Sequence, residues 1–281
     1  METHSAEAAL ALTVALEAGK LIKKLRGESF EVSHKGPRDL VTSADLAADA
    51  LICQRIRAQF PEHAILSEES APNLDLQRVQ GPLWVIDPID GTTNYALGHY
   101  QSAVSIAFYF AGKGVAGAVY APFLDEMFFA ERGHGAFLNQ TRLRRAAETL
   151  GDALVATGFP YRREPEVVAR LACRARSILL HCRDLRRLGA ASLDVCWVAC
   201  GRLGAYYESV NPWDIAAARI IATEAGAACG NIYAENLEQA AEDDGLASGT
   251  GELYSRHFLA SAQGIFSQLQ ELLQQADNDA L

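Results

Sequence analysis

Residues 83–95 read LWVIDPIDGTTNY, an apolar run that ends in two aspartates, Asp87 and Asp90, followed by a glycine and two threonines. The run predicts a buried strand that delivers Asp87 at its C-terminal end. Pro88 stiffens the exit and Asp90 follows shortly after, so both carboxylates can converge on one point. Two anions that close repel strongly unless a cation sits between them, and oxygen donors of this kind suit a hard divalent ion. Gly91 lets backbone approach a ligand closely and Thr92 supplies a hydroxyl. A helix starting here would aim free N–H groups at an oxyanion. An Asp-Pro pair alone is an ordinary turn; its continuation into Gly91-Thr92-Thr93-Asn94 turns the reading toward cation ligands beside a phosphate cradle.

Outward from this stretch, SAVSIAFYF, GVAGAVYAP and EMFFAE are short apolar or alternating runs punctuated by Gly, Pro and Asp, and they predict a sheet that GHGAFLN completes as a hairpin. Upstream, residues 5–25 repeat apolar positions at helical spacing until Gly27. LVTSADLAADALICQRIRAQF then predicts a second helix, capped by Ser43 and stopped at Phe60-Pro61, that packs on the first. Downstream, the strands ALVATGF and AYYES alternate with helices expected at 163–183, 190–201, 212–226 and 254–275. The fold class is therefore a layered α/β (α+β) protein. Its halves, 1–147 and 148–281, are expected to form one continuous unit.

Two further acidic features matter only in company with the first. Asn211-Pro212-Trp213-Asp214 has the form of a helix start, with Asn as N-cap, Pro at N1 and Asp at N3, which the helix dipole favours without any metal. ILSEES ends a short apolar run in Glu68 and Glu69, a pair that by itself reads as a solvated loop.

The whole chain sets the bounds. With 281 residues, 25 Lys and Arg against 35 Asp and Glu, and a net charge of −10, it has the substance for a large core and no clustered basic face, so direct nucleic-acid binding is not expected. No apolar stretch approaches the roughly 20 residues of a membrane span. Six cysteines without a CxxC pair point to reduced thiols and a cytoplasmic setting, with Cys196 and Cys200 as core fillers. Seven histidines without HxH or HxxxH spacing predict no zinc site.

WVIDPIDGTTNY and NPWDIAAARIIATEAGA resemble the two signature motifs of the inositol monophosphatase family, within the lithium-sensitive, Mg²⁺-dependent phosphatase superfamily. Supporting stretches occur in family order along nearly the whole chain: DLVTSAD (39–45), ILSEES (65–70), ERGHGAFLN (131–139), ATGFPY (156–161), RRLGAASLD (186–194) and SGTGELY (248–254). The resemblance implies an αβαβα sandwich, a homodimer, and hydrolysis of a small phosphorylated metabolite, most directly inositol monophosphate. Fructose 1,6-bisphosphate, histidinol phosphate and nucleotide phosphatases share these motifs, and some bacterial members associate with transcription machinery. DGTTNY in place of DGTKE leans toward the inositol branch.

Carried over position by position, the resemblance makes Glu68, Asp87 and the main-chain carbonyl of Ile89 ligands of one Mg²⁺, and Asp87, Asp90 and Asp214 ligands of a second, with a looser third near Glu68. Asp45 and Thr92, with Glu68 behind, would orient the attacking water. The backbone N–H groups of Gly91 and Thr92 would hold the phosphate, and Gly189 and Ala190 would admit the substrate closely. Glu208 would contact substrate hydroxyls, although its interval to Asp214 is one residue shorter than the family pattern. Lys35, in the loop SHKGPRD, would stand near the mouth of the site.

Overall fold

In a computed structural model, residues 4–28, 30–36, 39–76, 79–146, 148–159, 163–233, 253 and 257–280 are described. The first helix, α1 (Ala6–Arg26), is capped by Ser5, whose side chain accepts a hydrogen bond from the Ala8 N–H. It buries Ala8, Ala11, Ala15, Ala18 and Ile22, a stripe at three- and four-residue spacing. A hairpin of β1 (Val32–Gly36) and β2 (Asp39–Thr42) leads into α2 (Ser43–Gln59). Lys35 thus lies on a strand, whereas the sequence suggests a loop; its side chain and residues 37–38 are outside the described residues.

The cap of α2 is Thr42, not Ser43. Thr42 and Asp45 form a reciprocal capping box, and the Thr42 N–H donates to Asp45 Oδ2 at 2.8 Å. Ser43 is occupied elsewhere: its hydroxyl accepts the Glu31 N–H at 3.2 Å and its own N–H donates to Glu31 O, tying the helix to the start of the hairpin.

A seven-stranded sheet follows, in the order β3 (Ala64–Ser67), β4 (Pro82–Asp90), β5 (Ala103–Phe110), β6 (Lys113–Ala121), β7 (Glu126–Glu131), β8 (Gly135–Leu138) and β9 (Thr141–Arg142). It is antiparallel except for the β3–β4 pair, and a short helix, α3 (Thr92–Leu97), leaves the end of β4. The period of two along β4 sorts its side chains: Trp84 and Ile86 enter a core with α1 and α2, while Leu83 and Val85 face the opposite way.

That second face meets α5 (Ala191–Ala199) and α6 (Pro212–Ala225), which are apolar nearly all round because they lie between two sheets. The second sheet has the order β11 (Asp184–Arg186), β10 (Leu154–Thr157), β12 (Ala205–Ser209), β14 (His257–Ser261), β13 (Ala228–Asn231). Its outer face carries Val155, Ala205, Tyr207 and Leu259 against α4 (Pro165–Leu179) and α7 (Phe266–Asn278). The layers are therefore helix, sheet, helix, sheet, helix, an αβαβα sandwich.

One expected helix is replaced. Over 254–275, residues His257–Ser261 form β14, and a helix begins only at Phe266. Phe258 and Ala260 pack into the middle layer while Leu259 packs outward, so this short apolar run is a strand covered on both faces. Residues 254–256 of that segment, and most of SGTGELY, lie outside the described residues. Among the described residues no helix is long and apolar enough to cross a membrane.

Candidate active site

On a regular strand Asp87 and Asp90 would point to opposite faces. They do not, because Asp87 stands opposite Ser105 and Asp90 opposite Ala103: three steps on β4 match two on β5. The extra residue is a bulge at Pro88-Ile89, and it reverses the parity of the strand. Both aspartates are consequently buried, at 1% and 6% exposure, on the side of the middle helix layer.

Other elements bring further acids to the same place. Glu68 follows β3, its N–H donating to Ile86 O at 3.2 Å, so the parallel pairing sets it beside Asp87. Asp214 is the N3 residue of α6, and its carboxylate accepts the Asn211 N–H at 2.6 Å in a second capping box, as the spacing predicts. Asp45 is N3 of α2, one turn before Asp49, whose carboxylate accepts the Ser67 hydroxyl and so pins the strand end that carries Glu68. Glu68, Asp87, Asp90, Asp214 and Glu208 line one pocket of about 580 Å³ with Ile89, Gly91 and Thr92.

Burial holds the Asp87 carboxyl well above the usual carboxylate range, and the charges of Glu68, Asp90, Asp214 and Asp45 push it further in the same direction. Asp214 is raised by burial and by Glu68 and Asp90. Asp90 is also raised by burial, but hydrogen bonds restrain it: it accepts from the Ala191 N–H at 3.1 Å, and from the Ser192 N–H and hydroxyl at 2.7 and 2.6 Å. Asp90 thus sits at the N-terminus of α5, where the helix dipole favours an anion.

Oxygen-only donors that are buried and mutually repelling form the set a hard divalent cation takes, and on that ground these residues fit Mg²⁺. Among the described residues no three acidic, histidine or cysteine side chains converge closely enough to cage an ion by themselves. Mg²⁺ commonly completes its shell with water and substrate phosphate, so an open arrangement on one side of a pocket suits it.

Beside the acids, the Thr92 hydroxyl lies 2.9 Å from Asp45 Oδ1 and 3.0 Å from the Ile89 carbonyl. Gly91 has φ +83°, and a Cβ there would come within 2.9 Å of Gln101 O and 3.0 Å of Gly189 O. Only glycine serves where the turn before α3 meets the turn before α5. Asn94, to which the sequence assigned no role, clamps the two turns together by donating to Gln101 O and Leu188 O, each at 2.7 Å. Gly189 and Ala191 line the pocket; Ala190 is buried beside Gly91 as the N-cap residue of α5.

Glu208 lies on the pocket wall despite its short interval to Asp214, since β12 ends at Ser209 and α6 starts after only Val210 and Asn211. Burial lifts its carboxyl from 4.5 to about 7, against the opposing pull of a hydrogen bond from Tyr206 and the charge of Arg187. Arg187 and Arg163 line the same pocket. Sequence reasoning assigned no individual role to Ser192, Asn94, Tyr206 or Arg187, whose contacts are made across long sequence separations or from inside a strand, although the stretches RRLGAASLD, WVIDPIDGTTNY and AYYES contain them.

The sequence profile of the inositol monophosphatase family matches residues 4–270. A Nus factor SuhB of Vibrio cholerae is 39% identical over 222 residues, covering 78% of this chain and 82% of that protein. An inositol monophosphatase 2 of Solanum lycopersicum is also 39% identical over 222 residues, covering 77% of this chain and 84% of that protein. Among solved structures, the extragenic suppressor protein suhB of Bartonella henselae superposes with a TM-score of 0.82 at 31% identity, covering 96% of this chain and 99% of that one.

Proposed function

The chain belongs to the inositol monophosphatase family, and from that membership we propose that it is a Mg²⁺-dependent phosphoric monoester hydrolase acting on inositol monophosphate. The observation that carries this reading is the convergence of Glu68, Asp87, Asp90 and Asp214 on one pocket beside Thr92 and the Gly91 turn.

Glu68, Asp87 and the Ile89 carbonyl would hold one Mg²⁺; Asp87, Asp90 and Asp214 would hold another, with a third near Glu68. When bound, the ions offset the phosphate charge, lower the pKa of a water and stabilise the departing alkoxide. The rest is done by the chain. Thr92 donates its hydroxyl proton to Asp45, which leaves the oxygen's lone pairs to accept from the attacking water and fix its direction. Backbone N–H groups of Gly91 and Thr92 donate to the phosphate oxygens, and the crowding of Gly91 against Gly189 keeps that turn from shifting. No side chain need become covalently attached to phosphorus. Glu208, on the wall, accepts a hydroxyl of the leaving alcohol.

The test is a panel of phosphate monoesters assayed with the full chain, with and without Mg²⁺. Inositol monophosphate should be among the best substrates; preference for fructose 1,6-bisphosphate, histidinol phosphate or a nucleotide would move the enzyme to another branch, and inertness toward every ester would sink the reading. The name Nus factor carried by the Vibrio cholerae relative favours a second reading, a regulatory partner of the transcription machinery. Neutralising Asp87 and Asp90 separates the two, because a regulatory role would survive it. We further propose that the protein works as a homodimer in the cytoplasm, which sedimentation and fractionation would check.

A further inference from the structure

Part of the pocket wall is built around the Glu208 carboxylate. The period of two along β12 puts Tyr206 and Glu208 on the face turned toward the middle helix layer. Tyr206 is wholly buried, and its hydroxyl donates to Glu208 Oε2. A phenol hydroxyl buried without a partner is strongly disfavoured, and Glu208 is the acceptor that makes its burial tolerable.

A second contact comes from the neighbouring strand. β10 runs parallel to β12 with Thr157 opposite Tyr207, so Gly158 arrives alongside Glu208. A Cβ on residue 158 would lie 1.8 Å from Glu208 Oε2, 2.0 Å from its carboxyl carbon and 2.2 Å from Oε1. The carboxyl group therefore rests directly on the Gly158 backbone, in space that any side chain would fill. Arg187, lining the same pocket, supplies a positive charge toward it.

We propose that Tyr206 is a positioning residue for Glu208. The phenol holds Oε2, the Gly158 backbone supports the carboxyl group, and Oε1 is left to receive a hydroxyl of the leaving alcohol in one orientation. The pair thereby favours esters of polyhydroxylated alcohols over esters of alcohols without hydroxyls. This rests on the phosphatase reading and adds to it the two residues that orient its specificity group.

The experiment compares wild type with Tyr206→Phe and Gly158→Ala on two esters, inositol monophosphate and phenyl phosphate, in Mg²⁺. Both variants should lower the ratio of kcat/KM for the inositol ester to that for the phenyl ester by about tenfold, through a rise in KM for the inositol ester. An unchanged ratio in folded Tyr206→Phe protein would overturn the proposal. A measurement independent of turnover guards against misfolding and against failure of the phosphatase reading. The Glu208 carboxyl, identified in ¹³C spectra by its disappearance in Glu208→Gln, should titrate at higher pH in Tyr206→Phe than in wild type, because a donor to the ionised form has been removed. Identical titrations would exclude the positioning role. A wild type inert toward both esters would defeat the phosphatase reading alone and leave the spectra to decide Tyr206.

Discussion

Thr92 Oγ1 lies 2.9 Å from Asp45 Oδ1, joining residues that are 47 positions apart in the chain. Asp45 Oδ2 meanwhile accepts the Thr42 N–H, so one carboxylate both caps α2 and holds the threonine at the start of α3. The helix start and the proposed water-directing hydroxyl are thus a single unit, and the two functions can be separated by mutation.

Thr92→Ala removes the hydroxyl and leaves the cap. It should slow turnover by about 10²–10⁴-fold, the usual worth of a positioned proton-transfer group, with magnesium uptake by calorimetry close to wild type. Asp45→Ala should show a similar loss and, in addition, destabilise the protein by about 1 kcal/mol through the missing cap. Equal stability losses in the two variants would contradict this division.

Asp87→Asn should abolish turnover and stabilise the metal-free protein. Burial and like charges oppose ionisation of Asp87 in the fold, so removing the charge relieves strain that Mg²⁺ would otherwise offset. For a chain of this length Tm should rise by roughly 2–4 °C for each kcal/mol relieved. Thermal scans with and without magnesium check both halves: wild type should gain stability on adding the ion, and the variant should gain much less.

The gathering of Glu68, Asp87, Asp90 and Asp214 was expected from the family resemblance; the local signals, an apolar run that stops in acid and an N-cap followed by proline, marked where the acids stand but not that Glu68 and Asp214 meet Asp87 and Asp90. The β14 segment was not legible, since HFLAS has no periodicity that separates a buried strand from a helix. Its partner Glu208, which stands opposite Phe258, decides the matter from far along the chain. The grip of Ser192 on Asp90, across 102 positions, is equally invisible in either local sequence. Thr42 and Ser43 are neighbouring hydroxyl residues, and only the pairing of Ser43 with Glu31 determines which one caps.

Glu208 predicts two pH effects of known sign. Its carboxyl is raised from 4.5 to about 7, so between these values the folded chain keeps a proton that the unfolded chain has released. Folding stability should therefore fall as pH rises through that window, and the fall should be smaller in Glu208→Gln. Below about pH 7 the protonated group is also a poorer acceptor, so KM for inositol monophosphate should drop as pH rises through about 7, while the Gln variant lacks that limb. Denaturation midpoints and initial rates taken across pH 5–8 test the two together.

Far from the pocket, Arg174 on α4 meets Asp277 on α7 in a two-pronged ion pair, Nε to Oδ1 at 2.6 Å and Nη2 to Oδ2 at 2.7 Å, with the Tyr233 hydroxyl 2.6 Å from Nη2. Arg174 is 3% exposed, so the pair joins the two outer helices from inside their interface. Removing one partner strands a buried charge, and Arg174→Leu should cost about 3–5 kcal/mol. Replacing both, as Arg174→Leu with Asp277→Leu, should recover much of that loss, because no uncompensated ion remains. Neither change touches a residue of the pocket, so kcat measured well below Tm should stay near wild type. Denaturant midpoints for the two single variants and the double variant close the cycle: a double variant no better than Arg174→Leu would mean that packing around the guanidinium, not its charge, is what holds α4 to α7.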